Sequence, residues 1–385
     1  MRLPGRLLRF AALLVGLLFL MTPCYAAEAV LPEEQIQQQM DASGAGELYD
    51  RTPEDAKDLL GEMGVDELDY QKLLTLSPTE FFRALWGLLK VQLRKPLVIL
   101  ASIAGVAILC TLVEGLNVSI GERSLDTVFN AVCVLCVCTA VVGPIVDCVR
   151  SAANAIQSCS DFILSFVPTF ISLVAVGGQP VSATTYNAFL LMISEVLSKI
   201  TANQLVPLIT IYLAFCIVGA LTPSMNLSGA ASSAKTVVVW ALGLLTTTFV
   251  GLLGVQSLVA VGADNVAMKA GKFLVGSFVP VVGKALSDAL TTAQGCVRLL
   301  KTTVGAYAVV VSAMTFLPTL LQTVVWYFAV NLGAGISDVL GASQVSKVLK
   351  ACATALSLLI GIIAFVALLF IVSTAVMLVV GTGGT

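Results

Sequence analysis

The chain contains no histidine, and only 11% of its 385 residues are charged. Histidine is the usual general base, the commonest metal ligand and the side chain that titrates near neutral pH. Its absence excludes serine-triad and zinc-protease chemistry of the familiar kinds. Soluble domains carry about 25% charged residues. The shortage of charge, together with 58% hydrophobic residues, therefore indicates an integral membrane protein.

Motifs for cofactors and nucleotides are missing as well. Gly283 and Lys284 resemble the end of a phosphate-binding loop, but no glycine stands five residues before Gly283. Ala285 also replaces the Ser or Thr that such a loop requires. We therefore predict no enzymatic activity, no cofactor and no nucleic-acid partner.

Ten cysteines are present, and Cys133, Cys136 and Cys138 include a C-x-x-C spacing. A zinc site of that kind needs a second ligand pair on a loop. These three cysteines instead lie inside the apolar run 127–149. Because free cysteine packs as a small apolar residue, we predict a packing role for them and no metal site.

The N-terminus has the pattern of a secretory signal peptide. Three arginines precede an apolar run that ends at Met21, and Ala26 lies at the cleavage position. Cys24 raises the alternative of a lipoprotein signal, but Pro23 stands where that motif requires a small Gly or Ala. We assign residues 1–26 to the signal peptide.

The next segment, 27–80, is acidic, with fourteen acidic and three basic residues, whereas the rest of the mature chain has nine acidic and fifteen basic residues. Within it, Thr52 as N-cap, Pro53 as first helical residue and Gly64 as stop signal predict one short helix. The signal peptide places this segment outside the cytoplasm.

A basic amphipathic helix is predicted at 81–96, after the capping box 77–80. A basic helix that carries Trp86 directly before a spanning segment is typical of an interfacial helix lying on the bilayer. The alternative is a helix that packs in the core or binds a partner. Its apolar face has Phe82, Leu85, Trp86, Leu89 and Leu93, and its other face has Arg83, Gly87, Lys90 and Arg94.

Residues 97–385 predict an all-α polytopic membrane domain, because a helix needs about 20 apolar residues to cross a bilayer. Two shorter apolar pieces, 162–176 and 273–283, contain Pro168 and Pro280. Each is followed by a mixed segment, so these pieces are broken helices, re-entrant hairpins or tilted spans. The candidate spans are 97–116, 127–149, 204–221, 236–261, 303–330 and 348–380.

An internal repeat is predicted at an offset of 112 residues, with halves at about 127–235 and 239–347 and a final span at 348–380. We expect the halves to superpose. Two full spans per repeat would make the halves parallel, with Lys235 and Lys347 both on the cytoplasmic side, and we favour this arrangement. An odd number of spans would make the halves inverted, with the two lysines on opposite sides. Repeats with proline-broken helices are typical of transporters and channels; the alternative is that the prolines kink packed helices. The anchors are Ser165, Phe166, Val167 and Pro168 with Ser277, Phe278, Val279 and Pro280, and Gly229, Ala230 and Lys235 with Gly341, Ala342 and Lys347.

Ionisable residues in or beside apolar stretches are further candidates, because a charge at the bilayer centre costs at least about 3 kcal/mol. Glu195 and Lys199 are spaced i, i+4 and either neutralise each other or lie on a solvated helix face. The candidate pathway or structural residues are Pro168, Pro280, Ser165, Ser277, Glu195, Lys199, Asp288, Arg298, Lys235 and Lys347.

The signal peptide, the acidic helical segment, the basic helix and the repeated Ser-Phe-Val-Pro together resemble the stage III sporulation protein AE family of endospore-forming bacteria. The resemblance covers essentially the whole chain. It implies a multi-spanning subunit of the channel complex that links mother cell and forespore, in the mother-cell membrane facing the forespore. The implied partners are sibling membrane proteins, a forespore membrane protein, the lipid bilayer and further copies of the chain. The alternative is a self-contained secondary transporter.

The processing of the N-terminus can be tested directly. We expect the mature protein to begin near Ala27, with the acidic segment outside the mother-cell cytoplasm. N-terminal sequencing of the membrane-extracted protein checks the first point, and a compartment-specific reporter at Gly44 checks the second. Retention of Met1, or a reporter active only in the cytoplasm, would contradict the assignment.

Overall fold

The computed structural model describes residues 45–65, 78–117, 123–176, 193, 196–222, 227–252 and 283–381, and these residues are almost entirely helical. Within them, six helices are long and apolar enough to cross a membrane. The helices are α1 (Glu54–Glu62), α2 (Pro78–Asn117), α3 (Arg123–Val176), α4 (Val206–Leu221), α5 (Ser228–Leu252), α6 (Gly283–Val339) and α7 (Ser343–Gly381). A π-helical turn, Thr201–Leu205, leads into α4.

Helix α6 lies at the centre of the bundle. It packs against α7, α3, α2 and α1, and nearly all of its side chains between residues 303 and 316 are buried. A helix that is apolar all round has to be covered all round. Helices α2, α3 and α7 therefore cover α6, whereas α4 packs against α7 and α3.

Helices α6 and α7 form an antiparallel hairpin. The connecting turn contains Gly341 at φ +88°, a backbone conformation that glycine adopts without a steric cost. Along the hairpin, Gly305 contacts Leu378, and Phe316 stacks on Phe370 with ring centroids 6.2 Å apart.

The neighbours of this hairpin run in opposite directions. Ile103 of α2 contacts Gly333, and Thr111 approaches Gly341, so α2 runs parallel to α6. Phe162 of α3 contacts Tyr307, and Cys148 faces Thr323, so α3 runs antiparallel to α6. The bundle thus has a head end, near residues 45–65, and a turn end, near the α6–α7 turn.

Helix α3 is continuous through Pro144 and Pro168. The interruption expected at Pro168 is therefore absent, and the apolar pieces 127–149 and 162–176 belong to one 54-residue helix. Beside Pro168 the Thr169 hydroxyl donates to the Ser165 carbonyl at 3.3 Å. Hydroxyls of this kind, with packing by neighbouring helices, allow proline inside helices of membrane proteins. The structure at Pro168 therefore agrees with the alternative interpretation, in which the proline lies within a packed helix.

Helix α2 is likewise continuous, with Pro96 inside it. The basic segment 81–96 is therefore continuous with the first candidate span. Phe81 lines an apolar groove with Phe316 and Leu317 of α6, whereas Phe82 and Trp86 are exposed. The interfacial role of the segment therefore stays a prediction, beside the alternative of a helix that packs in the core or binds a partner.

The short helix α1 ends as its sequence predicts. Gly64 has φ +77°, the Gly64 amide donates to the Gly61 carbonyl, and the Val65 amide donates to the Leu60 carbonyl. These two bonds make a Schellman motif, which caps the last carbonyls of the helix.

Large apolar side chains are exposed on most of the long helices. We call the exposed apolar residues of α2, α3 and α6 in the half near the turn end the apolar belt. Exposed apolar side chains in such number indicate contact with lipid or with another protein. Its residues are Leu97, Val98, Ile108, Leu109 and Leu112 on α2, Val132 and Leu135 on α3, and Phe328, Leu332 and Val339 on α6.

The repeat prediction remains open, because Ser277 and Pro280 lie outside the described residues. At the second pair of anchors the local structures differ. Gly229 lies within helix α5, whereas Gly341 forms the turn before α7. The superposition of the two halves therefore stays a prediction.

The close approach of α6, α7 and α3 at Gly305 leads to a stability prediction. A Cβ at this position would lie 2.7 Å from Leu378 Cδ1 and 3.3 Å from Phe170 Cε2. We expect Gly305→Ala to destabilise the bundle by about 1–3 kcal/mol, because overpacking a dense core forces neighbouring groups to shift. The thermal midpoint of the detergent-solubilised protein measures the effect.

The matched control is Gly335→Ala, on the same helix. No atom lies within 4 Å of the position of its Cβ, and alanine is the better helix former by about 0.5–1 kcal/mol. We expect the midpoint of this variant to stay level or rise. Equal midpoints for the two variants would refute the close packing at Gly305.

Candidate functional site: the polar face of α3

The exposed face of α3 changes character along the helix. In the half near the turn end it carries Val132, Leu135, Cys136, Thr139 and Gly143. In the half near the head end it carries first Asp147, Arg150, Asn154, Gln157, Ser158 and Asp161, and then Leu164 and Pro168. We call the six polar residues of this half the polar face. The spacing of three or four residues puts them on one side of the helix, over about 21 Å at 1.5 Å per residue.

Side chains on the opposite side of α3 are buried and apolar or aromatic. Phe162, Phe166 and Phe170 form a column of rings with centroids 6.2 and 5.3 Å apart. Tyr307 of α6 meets Phe162 edge to face at 6.4 Å. Within the described residues, this aromatic column fills the space between α3 and α6, so the polar face looks outward from the bundle.

Buried hydroxyls along α6 bond to their own helix. Ser312, Thr315, Thr323 and Ser337 each donate to the carbonyl four residues earlier, at 2.7–2.9 Å. A hydroxyl satisfied in this way does not require a water or a ligand. These four hydroxyls of α6 therefore need no partner outside their own helix.

The head segment 45–65 docks onto α6 and α3 beside the end of the polar face. The Thr52 hydroxyl donates to the Leu48 carbonyl at 3.0 Å and lies 2.7 Å from the Tyr307 hydroxyl. Because Thr52 has only one hydroxyl proton, Tyr307 is the donor in the second bond. The three groups thus form a buried chain of hydrogen bonds that fixes the head segment to the bundle.

This chain corrects the predicted role of Thr52 as an N-cap. Helix α1 begins at Glu54 with Pro53 as its N-cap residue, and no side chain caps it. The threonine hydroxyl is already engaged by Leu48 and the buried Tyr307, so it is unavailable to the first amides of α1.

Two polar contacts surround the docked segment. Arg51 approaches Ser165 of α3 at 3.4 Å and Glu47 at 3.4 Å, so the predicted Ser165 contacts the head segment. Partial burial raises the pKa of the Asp55 carboxyl, and the carboxylates of Asp58 and Glu54 raise it further. Ionised acids on α1 therefore oppose docking, and the hydrogen bonds and apolar contacts hold it.

The turn end carries a second set of charges. Lys350 of α7 pairs with Asp338 of α6 at 2.5 Å, with both side chains about half exposed. Lys347 is exposed on α7, whereas Lys235 is partly buried on α5. An exposed ion pair of this kind contributes at most about 1 kcal/mol to the free energy of unfolding. These charges therefore make the turn end polar and add little to the stability of the fold.

The predicted candidates are therefore dispersed. Ser165 and Pro168 lie together at the head end of α3, and Lys199 is exposed in the span that leads into α4. Asp288 and Arg298 lie in α6, but their side chains are outside the described residues, as are Ser277, Pro280 and Glu195 altogether. No cluster of the ten candidates forms within the described residues.

Sequence reasoning missed the polar face and one buried cation. The polar positions of this face repeat every three or four residues between two apolar runs. This spacing would have indicated one continuous helix. Lys301 of α6 is only 4% exposed, and nothing in its local sequence distinguishes it from a surface lysine.

The part of the chain that the structure describes contains no candidate metal site. No group of three or more histidine, cysteine or acidic side chains there could hold a metal ion. Cys133 and Cys138 are buried in the core, whereas Cys136 is exposed. The polar face is thus a surface for contact with water or another molecule, with no reactive group assigned to it.

The docking of the head segment can be tested at Thr52. In Thr52→Val the Leu48 carbonyl and the Tyr307 hydroxyl both lose their partner, at a cost of about 1–3 kcal/mol. We expect the amides of residues 56–65 to exchange with deuterium about ten to a hundred times faster. In Tyr307→Phe the Thr52–Leu48 bond remains, so the acceleration should be smaller. Unchanged exchange in Thr52→Val would show that the bond does not hold the segment.

Comparison with known proteins identifies the family. The family model described as stage III sporulation protein AE matches residues 65–381. The curated stage III sporulation protein AE of Bacillus subtilis (strain 168) is 24% identical over 307 residues, which cover 80% of this chain and 77% of that protein. No solved structure was found to match the chain. Since the family model covers far more than half of its length, the chain belongs to the stage III sporulation protein AE family.

Proposed function

We propose that this protein is a membrane subunit of the channel complex that links mother cell and forespore. In this proposal it resides in the mother-cell membrane, its head segment is extracytoplasmic, and the polar face of α3 borders a water-filled space that it shares with partner subunits. Membership of a sporulation family with spanning helices supports the cellular setting. The polar face supports the molecular role.

The polar face is the observation that carries the proposal. Charged residues in contact with lipid are costly, at about 2.5–3.5 kcal/mol each at the centre of a spanning helix. Asp147, Arg150 and Asp161 all lie exposed on this face of the isolated bundle. The face therefore requires water or a polar partner, while the apolar belt on the same helix suits lipid or an apolar partner.

The packing inside the described bundle supports a position of this space outside the single chain. The aromatic column and the self-bonded hydroxyls fill the described core, and the groove between α2, α6 and α7 is lined by apolar side chains such as Phe81, Met314 and Ile371. These apolar and self-bonded surfaces support a route that is bordered by the polar face and runs between subunits, either copies of this chain or sibling membrane proteins.

The same observations weigh against the self-contained transporter. Such proteins hold their substrate near the bilayer midplane with discontinuous helices. Here α3 and α6 are continuous through Pro168 and Pro318, respectively. A subunit that depends on partners agrees better with this architecture.

A genetic test follows. Loss of the gene should leave vegetative growth intact and arrest spore development at or just after engulfment. The variant Asn154→Leu with Ser158→Leu makes the middle of the polar face apolar, and we expect it to restore few or no heat-resistant spores, although the protein still accumulates in the membrane. Heat-resistant spore counts and immunoblots of the membrane fraction measure the two outcomes.

The matched control is a double substitution at exposed belt positions, Leu109→Ile with Leu112→Ile, which should restore spores fully because the surface stays apolar. Water accessibility gives a second readout, since Ser158→Cys should react with a membrane-impermeant charged maleimide, above the level of the parent protein, whereas Leu109→Cys should not. Normal spore counts with the apolar double variant would refute the role of the polar face.

A further inference from the structure

The charges of the polar face are unevenly distributed along α3. Asp147 and Arg150 lie about one helical turn apart and balance each other's charge. Asp161 lies at the head end of the face, and the three residues of the face between Arg150 and Asp161 are uncharged. The polar face therefore ends, on the head side, in a carboxylate that no cation of the same face balances.

A hydrogen bond orients this carboxylate without neutralising it. The Gln157 amide donates from Nε2 to Oδ1 of Asp161 at 2.9 Å, and both side chains are exposed. Because the amide donor is uncharged, the full negative charge of Asp161 stays on the surface of α3.

The head segment extends the negative charge beyond the end of α3's polar face. Arg51 approaches the Ser165 hydroxyl at 3.4 Å, and Ser165 lies one turn after Asp161 and donates to its backbone carbonyl at 3.2 Å. The head segment 45–65 contains six acidic and two basic residues. A surplus of carboxylates thus lies next to Asp161.

Both basic side chains of the head segment are held by groups close to them. Arg51 pairs with Glu47 at 3.4 Å. The Lys57 ammonium donates to the Asp50 carbonyl at 2.8 Å and lies 5.6 Å from the centre of the Tyr49 ring. Among the residues that the structure describes, Glu47 is the only one of the six acids in an ion pair. The other five are exposed: Asp50, Glu54, Asp55, Asp58 and Glu62.

We propose that the head-side mouth of the route is electronegative and passes cations in preference to anions, an inference that rests on the function proposed above. A surface that carries one sign of charge raises the local concentration of ions of the opposite sign, and rings of Asp and Glu select cations in channels. Each subunit that borders the route adds Asp161 and the five exposed carboxylates of its head segment. The favoured solutes are inorganic cations and small protonated amines.

The test measures the electrostatic potential beside Asp161 with the full-length protein in membranes from sporulating cells. The variant Ser158→Cys places a thiol one turn from Asp161, and it is treated with a cationic or an anionic methanethiosulfonate of similar size. The parent protein gives the background, because Cys136 is exposed. We expect the ratio of the cationic to the anionic rate, divided by the same ratio for a small thiol in solution, to lie severalfold above one. Concentrated salt should bring it towards one, because salt screens exposed charges.

Two further variants in the Ser158→Cys background test the carboxylates themselves. Asp161→Asn removes the charge at nearly constant size, and the triple variant Glu54→Gln, Asp58→Asn, Glu62→Gln removes three charges of the head segment. We expect the ratio to fall towards one in each. The matched control is Asp338→Asn, which removes an exposed acid near the α6–α7 turn and should leave the ratio unchanged.

The outcomes separate this inference from the proposed function. A Ser158→Cys thiol that reacts with neither reagent would refute the water-filled space, and with it both proposals. Equal rates would overturn the cation preference alone, and so would a faster anionic reaction, which the cations of α2 would cause if they faced the same space. A ratio that stays high in both charge-removing variants would show that these carboxylates do not produce the preference and would overturn the inference as well.

Discussion

The almost complete burial of α6 between residues 303 and 316 is the constraint on which the rest of the structure depends. A helix segment that is buried on every side needs neighbours that cover it. Helices α2, α3 and α7 and the head segment pack against α6, whereas Phe328, Leu332 and Val339 nearer the turn end are exposed. The close contacts at Gly305 and Gly333 follow from this requirement, since three or more helices have to approach one axis.

The helices that cover α6 expose two different kinds of side chain. Near the turn end the covering helices expose apolar side chains, and near the head end α3 exposes polar ones. Helix α2 shows no such transition, because Phe82, Trp86 and Val91 are exposed beside its basic residues. The change from an apolar to a polar exposed surface is therefore a property of α3.

Local sequence predicted the features that depend on local physics. The helical class, the six apolar spans and the left-handed Gly64 at the end of α1 follow from composition, run length and backbone sterics. Distant contacts determined the features that it missed. Thr52 bonds to Tyr307, 255 residues away, and for that reason does not cap α1. Pro168 remains inside a helix because neighbouring helices and hydroxyl groups stabilise the backbone around it. Both effects are invisible to a prediction that relies on the lengths of apolar runs.

The continuity of α3 has a consequence for any assembly of these subunits. Val132, Leu135 and Thr139 lie on the same side of the rod as Asn154 and Asp161, so a subunit that turns its polar face to a common axis also turns these belt residues inward. The resulting lumen would be lined by polar side chains at one end and by apolar side chains further in. Water withdraws readily from a narrow apolar constriction, and channels use such dewetting as a gate. A barrier to leakage would then come from the same helix that borders the aqueous entrance, with no separate plug.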